Sequence, residues 1–160
     1  MGVKHIGGNH MRAKDVMQRQ VIFVRNEEVL MEVINILMQH QISGVPVINE
    51  NNQLVGVVSE KDLMTKEKGL NISSYMTVMT SILSIDGKKQ LVQSRERLQE
   101  ATAEEVMSTP AFAVHEDATI EEIVSLMMNR RINRIPVIDN DNKLIGIIGR
   151  TDLLPLLINR

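Results

Sequence analysis

The 160-residue sequence contains no cysteine and no tryptophan, and aromatic residues make up only 2% of it. The absence of cysteine removes disulfides and thiolate metal sites and fits a reducing compartment. With so few aromatics, a core must be built from Val, Ile, Leu and the 11 methionines, whose flexible side chains fill irregular gaps. Net charge is scarce too, at −2, so neither nucleic acid nor an anionic membrane surface is expected as a partner. No apolar run approaches the roughly 20 residues of a membrane helix, and no secretory signal is visible. The expectation is a cytoplasmic protein. What is abundant is aliphatic: 43% of residues are apolar, enough for one domain or two very small ones sharing a core.

The strongest signal is an internal repeat. Sliding the chain by 90 residues superimposes Ala13–Leu63 on Ala103–Leu153 without a gap. Val16-Met17 meets Val106-Met107, Pro46-Val47-Ile48 meets Pro136-Val137-Ile138, and Gly56 and Asp62-Leu63 meet Gly146 and Asp152-Leu153. Neither copy alone is expected to bury enough apolar surface. The two should therefore pack together with pseudo-two-fold symmetry. The expected organisation is a flexible tail over 1–12, a first repeat over 13–68, a connector with a charged helix over 69–101, and a second repeat over 102–160. Residues 1–10 are Gly-rich and Met11 is an alternative start; His5 and His10 there are given no role.

Each copy reads β-α-β-β-α after a short helical lead-in, an α+β pattern. Thr102 and Glu105 form a capping-box pair for the second lead-in. Val21–Val24 and Ala111–Val114 are β-prone. Leu30, Val33, Ile34, Leu37 and Met38 are spaced as one helix face, as are Ile120, Ile123, Val124, Met127 and Met128. Thr119 with Glu122 caps the second of these helices; Val29 replaces Thr in the first. Two Val/Ile-rich runs, Val45–Ile48 and Leu54–Val58, flank the turn residues Asn49–Gln53 and read as a hairpin, repeated as Ile135–Ile138 and Leu144–Ile148. In the connector, 88–99 reads as an exposed charged helix, and 75–85 as a segment able to cover an edge or a partner.

Each hairpin leads into a small residue and then an Asp three positions on: Ser59 to Asp62 and Gly149 to Asp152. Two readings stand. Ser-x-x-Asp is a capping arrangement for a helix start. The same arrangement can bind a nucleotide, with Asp accepting both hydroxyls of a ribose and Ser59 with the helix N-terminus holding a phosphate. The second copy favours the ligand reading, because Asp152 is kept where the capping hydroxyl has become Gly149. Arg130, Arg131 and Arg134 make that copy more basic, either as a solvated face or as a phosphate-binding group.

Other motifs fail. Asp139-Asn140-Asp141-Asn142-Lys143 opens like an EF-hand, but Lys143 and Arg150 stand where ligands are needed. There is no G-x-G-x-x-G or Walker A sequence. His40 and His115 lack carboxylates at metal spacing, and no catalytic triad with a nucleophile elbow is present. Neither an enzyme nor a metal protein is expected.

The doubled pattern of Val-Met, V-P-V-I or I-P-V-I, and G-h-h-S-x-x-D (h apolar) resembles a tandem pair of CBS (cystathionine-β-synthase) domains, a Bateman module, over residues 13–64 and 103–155. The resemblance implies a cleft between the repeats that binds AMP, ADP, ATP or S-adenosylmethionine as a regulatory ligand. It implies ribose contacts from Asp62 and Asp152 and a phosphate contact near Ser59. Lys61, Arg134, Arg150 and Thr151 would lie near the phosphates. Val21, Ile22, Val45 and Pro46, with Ala111, Phe112, Ile135 and Pro136, would flank the adenine. Gly149 departs from the family's usual Ser or Thr. The expected function is a sensor that changes conformation on binding and signals to an effector protein. A homodimer is expected from apolar residues such as Leu153, Leu154, Leu156 and Leu157 that need covering. The alternative is a ligand-free dimerisation scaffold.

Overall fold

The computed structural model describes residues 11–64, 96 and 98–158. Residues 1–10 of the expected tail, 65–68 of the first repeat, 69–95 and 97 of the connector, residues 159–160 and the side chains of Met64 and Leu157 lie outside the described residues. In chain order the elements are α1 Ala13–Val16, β1 Val24–Arg25, α2 Leu30–Gln39, β2 Gly44–Ile48, β3 Leu54–Ser59, α3 Glu60–Met64, α4 Ala103–Val106, β4 Val114–His115, α5 Ile120–Arg130, β5 Arg134–Ile138, β6 Leu144–Gly149, α6 Arg150–Leu153 and α7 Pro155–Ile158. The fold is mixed α+β, with two three-stranded sheets ordered β1-β2-β3 and β4-β5-β6. Among the described residues no helix is long and apolar enough to cross a membrane.

The chain divides into two compact units. One is Ile22–Ala111, hereafter the Asp62 unit. The other, the Asp152 unit, joins the chain up to Val21 to the chain from Phe112 onward. Each unit therefore takes its lead-in helix from the other copy: α4 completes the first sheet and α1 completes the second. Ala103 (0% exposed) and Val106 (1%) are core residues of the Asp62 unit, together with Leu30, Val33, Val45, Val47 and Val58. Ala13 (0%) and Met17 (8%) are core residues of the Asp152 unit, together with Ile123, Ile135, Val137 and Ile148. Arg12, assigned from sequence to the tail, is bridged to Thr119 and donates from its guanidinium to the Asp117 carbonyl at 2.6 Å.

Backbone bonds fix this exchange. Gln18 and Ile147 trade both amide bonds, Gln18 N–H to the Ile147 carbonyl at 2.9 Å and the reverse at 3.0 Å. Ser108 and Val57 do the same at 2.9 and 3.2 Å. Each contact is completed by a glycine on the sheet. A β-carbon at Gly56 would fall inside the Met107 side chain, and one at Gly146 inside that of Met17. The repeated Val-Met and the repeated glycine are thus the two halves of one packing contact, read across the copies.

Within each sheet the first pairing is parallel, Val24 with Val47 and Val114 with Val137, and the hairpin is antiparallel. Of the β-prone run 21–24, only Val24 enters the ladder. The neighbouring strand supplies the reason: Pro46 has no N–H, and the parallel ladder begins one residue beyond it. Pro136 limits β4 in the same way. The hairpin turns close as Asx turns. Asn49 Oδ1 accepts from the Asn51 and Gln53 amides, both at 3.0 Å, and Asp139 Oδ1 accepts from those of Asp141 and Lys143, both at 2.9 Å. The carboxylate that opened the EF-hand-like stretch is therefore a turn residue.

The helix faces are narrower than the sequence suggested. Leu30, Val33 and Leu37 are buried, but Met38 is 65% exposed, and its counterpart Met128 is 72% exposed. Thr119 and Glu122 form the expected reciprocal cap, at 2.8 and 3.2 Å, and Thr102 N–H donates to Glu105 at 3.0 Å.

Candidate functional site

Strand β3 alternates buried and half-buried residues and delivers Ser59 to the start of α3. Asp62, one turn in, turns back on that start. Its Oδ2 accepts from the Ser59 amide at 2.8 Å and from the Ser59 hydroxyl at 2.6 Å. Its Oδ1 accepts from the hydroxyl of Ser108, on the segment leaving α4. The carboxylate is half-buried, so it faces solvent while both oxygens are held.

In the Asp152 unit, β6 delivers Gly149 to the start of α6. Asp152 Oδ2 accepts from the Gly149 amide at 2.6 Å, and Oδ1 accepts from the Gln18 side-chain amide, also at 2.6 Å. Gln18 and Ser108 are equivalent positions in the repeat. Both carboxylates are thus fixed by the same device: a backbone N–H at the strand end and a side chain from the lead-in segment.

This geometry corrects one inference from the sequence. The loss of the hydroxyl at Gly149 does not leave Asp152 without a structural partner, because the bond it makes is to the Gly149 backbone. Retention of Asp152 therefore has a local cause independent of any ligand. Both readings of the motif remain physically compatible, since a half-exposed carboxylate that bonds an amide on one edge can accept further donors on the other.

The remaining expected residues divide by burial. Val45 and Ile135 are wholly buried, and Pro46 and Pro136 are buried beside them. In this conformation the Val45 and Ile135 side chains are part of the two cores. Lys61, Arg134, Arg150 and Thr151 are exposed. Arg134 pairs with Gly149 across the hairpin, and the Arg150 amide donates to the Asn133 carbonyl at 3.1 Å, which brings both arginines to the Asp152 end of the sheet. Val21, Ile22 and Ala111 are half-buried and precede the strands, not part of them; Ile22 packs on the core of the Asp62 unit. Phe112 is 40% exposed, with the Arg130 guanidinium 4.4 Å from its ring centre, a cation–π contact. The unit boundary falls between Val21 and Ile22 and again between Ala111 and Phe112.

Sequence reasoning missed Gln18 and Ser108. Their signal was positional: each follows the repeated Val-Met, and both carry a side-chain donor.

Comparison with known proteins places this geometry in context. The family model described as CBS domain matches residues 13–69 and 103–159. An uncharacterised protein of Methanocaldococcus jannaschii is 30% identical over 96% of this chain and 95% of its own length. The inosine-5′-monophosphate dehydrogenase of the same organism is 28% identical over 89% of this chain, which spans 23% of that enzyme. Among solved structures, CBSX2 of Arabidopsis thaliana, in complex with AMP, matches with a TM-score of 0.67 at 25% identity, covering 93% of this chain and 98% of that one.

Proposed function

Because this chain belongs to the CBS-domain family, we propose that it is a sensor of an adenosine compound, with one ribose-binding carboxylate in each unit. The observation that carries the reading is the AMP complex of a relative with the same fold at 25% identity. The chemistry of the chain agrees with it. Asp62 and Asp152 stand half-exposed at matching helix starts, and a carboxylate there can accept both hydroxyls of a ribose. In the Asp62 unit, Ser59 and Lys61 supply a hydroxyl and an ammonium for a phosphate; in the Asp152 unit, Arg134, Arg150 and Thr151 do so. The half-buried Ile22 and Ala111, and the exposed Phe112, offer apolar surface to an adenine. AMP, ADP, ATP and S-adenosylmethionine all carry the ribose and base this chemistry recognises, and the ligand acts by favouring one of the chain's conformations. The chain binds and signals to an effector protein; it does not catalyse.

The test is a titration of the purified protein with each of the four compounds, following melting temperature. A ligand at 100 times its dissociation constant adds about 2.7 kcal/mol of stability. The gain should shrink in Asp62→Ala and in Asp152→Ala, and disappear in the double variant. No response to any of the four compounds, with no heat of binding by calorimetry, would sink the reading.

A second reading, a dimerisation scaffold, is supported by the repeated exposure of Met38 and Met128 at equivalent helix positions and of Ile158 (81%) in α7. Light scattering on the purified protein checks it. A dimer that dissociates when Met38 and Met128 are replaced by Glu supports that interface; a monomer at all concentrations removes it.

A further inference from the structure

In the Asp152 unit an aromatic ring and a guanidinium are stacked at the end of the sheet that carries the carboxylate. Arg130 ends α5 and leads through 131–133 to Arg134, which pairs with Gly149 just before α6. β4 runs parallel to β5, with Val114 beside Val137. Continuing that register backwards puts Phe112 level with Ile135, next to Arg134. Phe112, Arg130, Arg134 and the turn leading to Asp152 therefore share one end of this unit. The Arg130 guanidinium lies 4.4 Å from the centre of the Phe112 ring. Phe112 is 40% exposed and Arg130 is exposed as well, so the guanidinium covers the solvent-facing side of the ring. A base stacking on Phe112 needs that same side.

We propose that Arg130 competes with the base of the ligand for the face of Phe112, and so sets how tightly and how selectively the Asp152 unit holds an adenosine compound. The inference rests on the reading of this unit as an adenosine site. Stacking of a base on an aromatic side chain is worth more than an exposed cation–π contact, so the base wins the exchange at the cost of part of its own stacking energy. The guanidinium that leaves the ring stays at the end of the sheet where Arg134 and Arg150 also stand, the end at which a 5′-phosphate finds its cations. Arg130 therefore opposes the base and favours the phosphate, which makes the site prefer phosphorylated adenosine to adenosine. The equivalent positions of the Asp62 unit hold Ile22 and His40, and isoleucine has no ring face to contest.

The chain has no tryptophan, so Phe112→Trp places a single indole at the ring, and its emission reports on this unit alone. Phe112→Trp, with and without Arg130→Gln, is titrated with adenosine and with AMP after melting curves verify folding. Both ligands should change the emission. Arg130→Gln should tighten adenosine about threefold, the worth of an exposed cation–π contact. It should tighten AMP less, or weaken it, so that the preference for AMP over adenosine falls. A side chain that merely props the ring acts on adenosine in the opposite direction. Arg130 is exposed, so Arg130→Gln in the natural chain repeats the comparison by calorimetry. If the emission responds but Arg130→Gln leaves adenosine unchanged or weaker, the competition is wrong and the sensor reading stands. If the emission ignores both ligands while calorimetry shows AMP binding that Asp152→Ala removes, Phe112 is not at the base, and again only this inference falls. If AMP, ADP, ATP and S-adenosylmethionine give neither heat nor a change in emission, both fall.

Discussion

In the Asp152 unit, the Ala13 amide donates to the Ala118 carbonyl at 2.8 Å, that of Lys14 to Glu116 at 2.9 Å, and that of Gln18 to Ile147 at 2.9 Å. In the Asp62 unit, Ala103 donates to Glu28 at 2.8 Å, Glu104 to Asn26 at 2.9 Å, and Ser108 to Val57 at 2.9 Å. The backbone repeats itself almost bond for bond. The side chains at the same positions do not: Lys14 stands against Glu104, Gln18 against Ser108, and Gly149 against Ser59. Backbone bonds tolerate little change, because an unpaired buried amide costs stability directly. The buried positions change only within the apolar class, as at Val33 and Ile123, Val45 and Ile135, and Val58 and Ile148, whereas the changes of charge and hydrogen-bonding capacity lie at exposed or half-buried positions.

The contact that should break most severely is the one between each lead-in methionine and the opposite sheet. Gly56→Ala would push a β-carbon into Met107, and Gly146→Ala into Met17, at an expected loss of about 1–3 kcal/mol each in chemical denaturation. Met17 is buried and Met107 is half-buried, so Gly146→Ala should cost more. Because each glycine and methionine form one contact, Met107→Ala should recover part of the loss in Gly56→Ala. Strict additivity of the two would show that the lead-in helix packs elsewhere.

A smaller effect is expected at the carboxylates without any ligand. Asp62 accepts from one amide and two hydroxyls, and Asp152 from one backbone amide and one side-chain amide. Asp62→Ala and Asp152→Ala should each destabilise by about 1–2 kcal/mol, with Asp62→Ala the larger. Equal melting temperatures for both variants and the natural chain would mean that neither bond set contributes to folding, leaving binding as the only role for these residues.

The repeat, both hairpins, the long helices and the paired Asp residues were legible in the sequence, because a fixed offset of 90 turns weak local signals into matched pairs. The exchange of α1 and α4 was not. A four-residue helix shows which residues are apolar but not which sheet they face, and the contacts of Gly56 with Met107 and of Gly146 with Met17 are visible only in the structure. The short first strands were legible in principle from Pro46 and Pro136, whose missing N–H groups bound the ladder. Asp152 was misread for a different reason. Its partner is a backbone amide, which every residue except proline carries, so replacing Ser by Gly removes a side chain and leaves the bond intact.

The mildest difference to probe is electrostatic. Lys14 and Asp117 form an exposed ion pair at 2.7 Å, while the equivalent positions in the other unit are both acidic, Glu104 and Glu27. The hydrogen bond from Lys14 holds the Asp117 carboxyl below its ordinary 3.8, and the same bond holds the Lys14 ammonium above its ordinary 10.5. A carboxyl lowered on folding stabilises the native state above 3.8 and loses that contribution as pH falls through its lower folded value. A raised lysine stabilises below 10.5 and loses its contribution as pH rises through its higher folded value. At neutral pH the pair is intact but exposed to solvent, so its effect should be small and should fade with salt. Lys14→Met should lower the melting temperature slightly at pH 7 in low salt, and not at all below the folded value of Asp117. Glu104→Lys should raise it slightly, by giving the Asp62 unit the ion pair its counterpart already has. A fall on Glu104→Lys would mean that Glu27 and residue 104 do not face each other as Asp117 and Lys14 do, and that the backbone match between the units does not extend to where their side chains point.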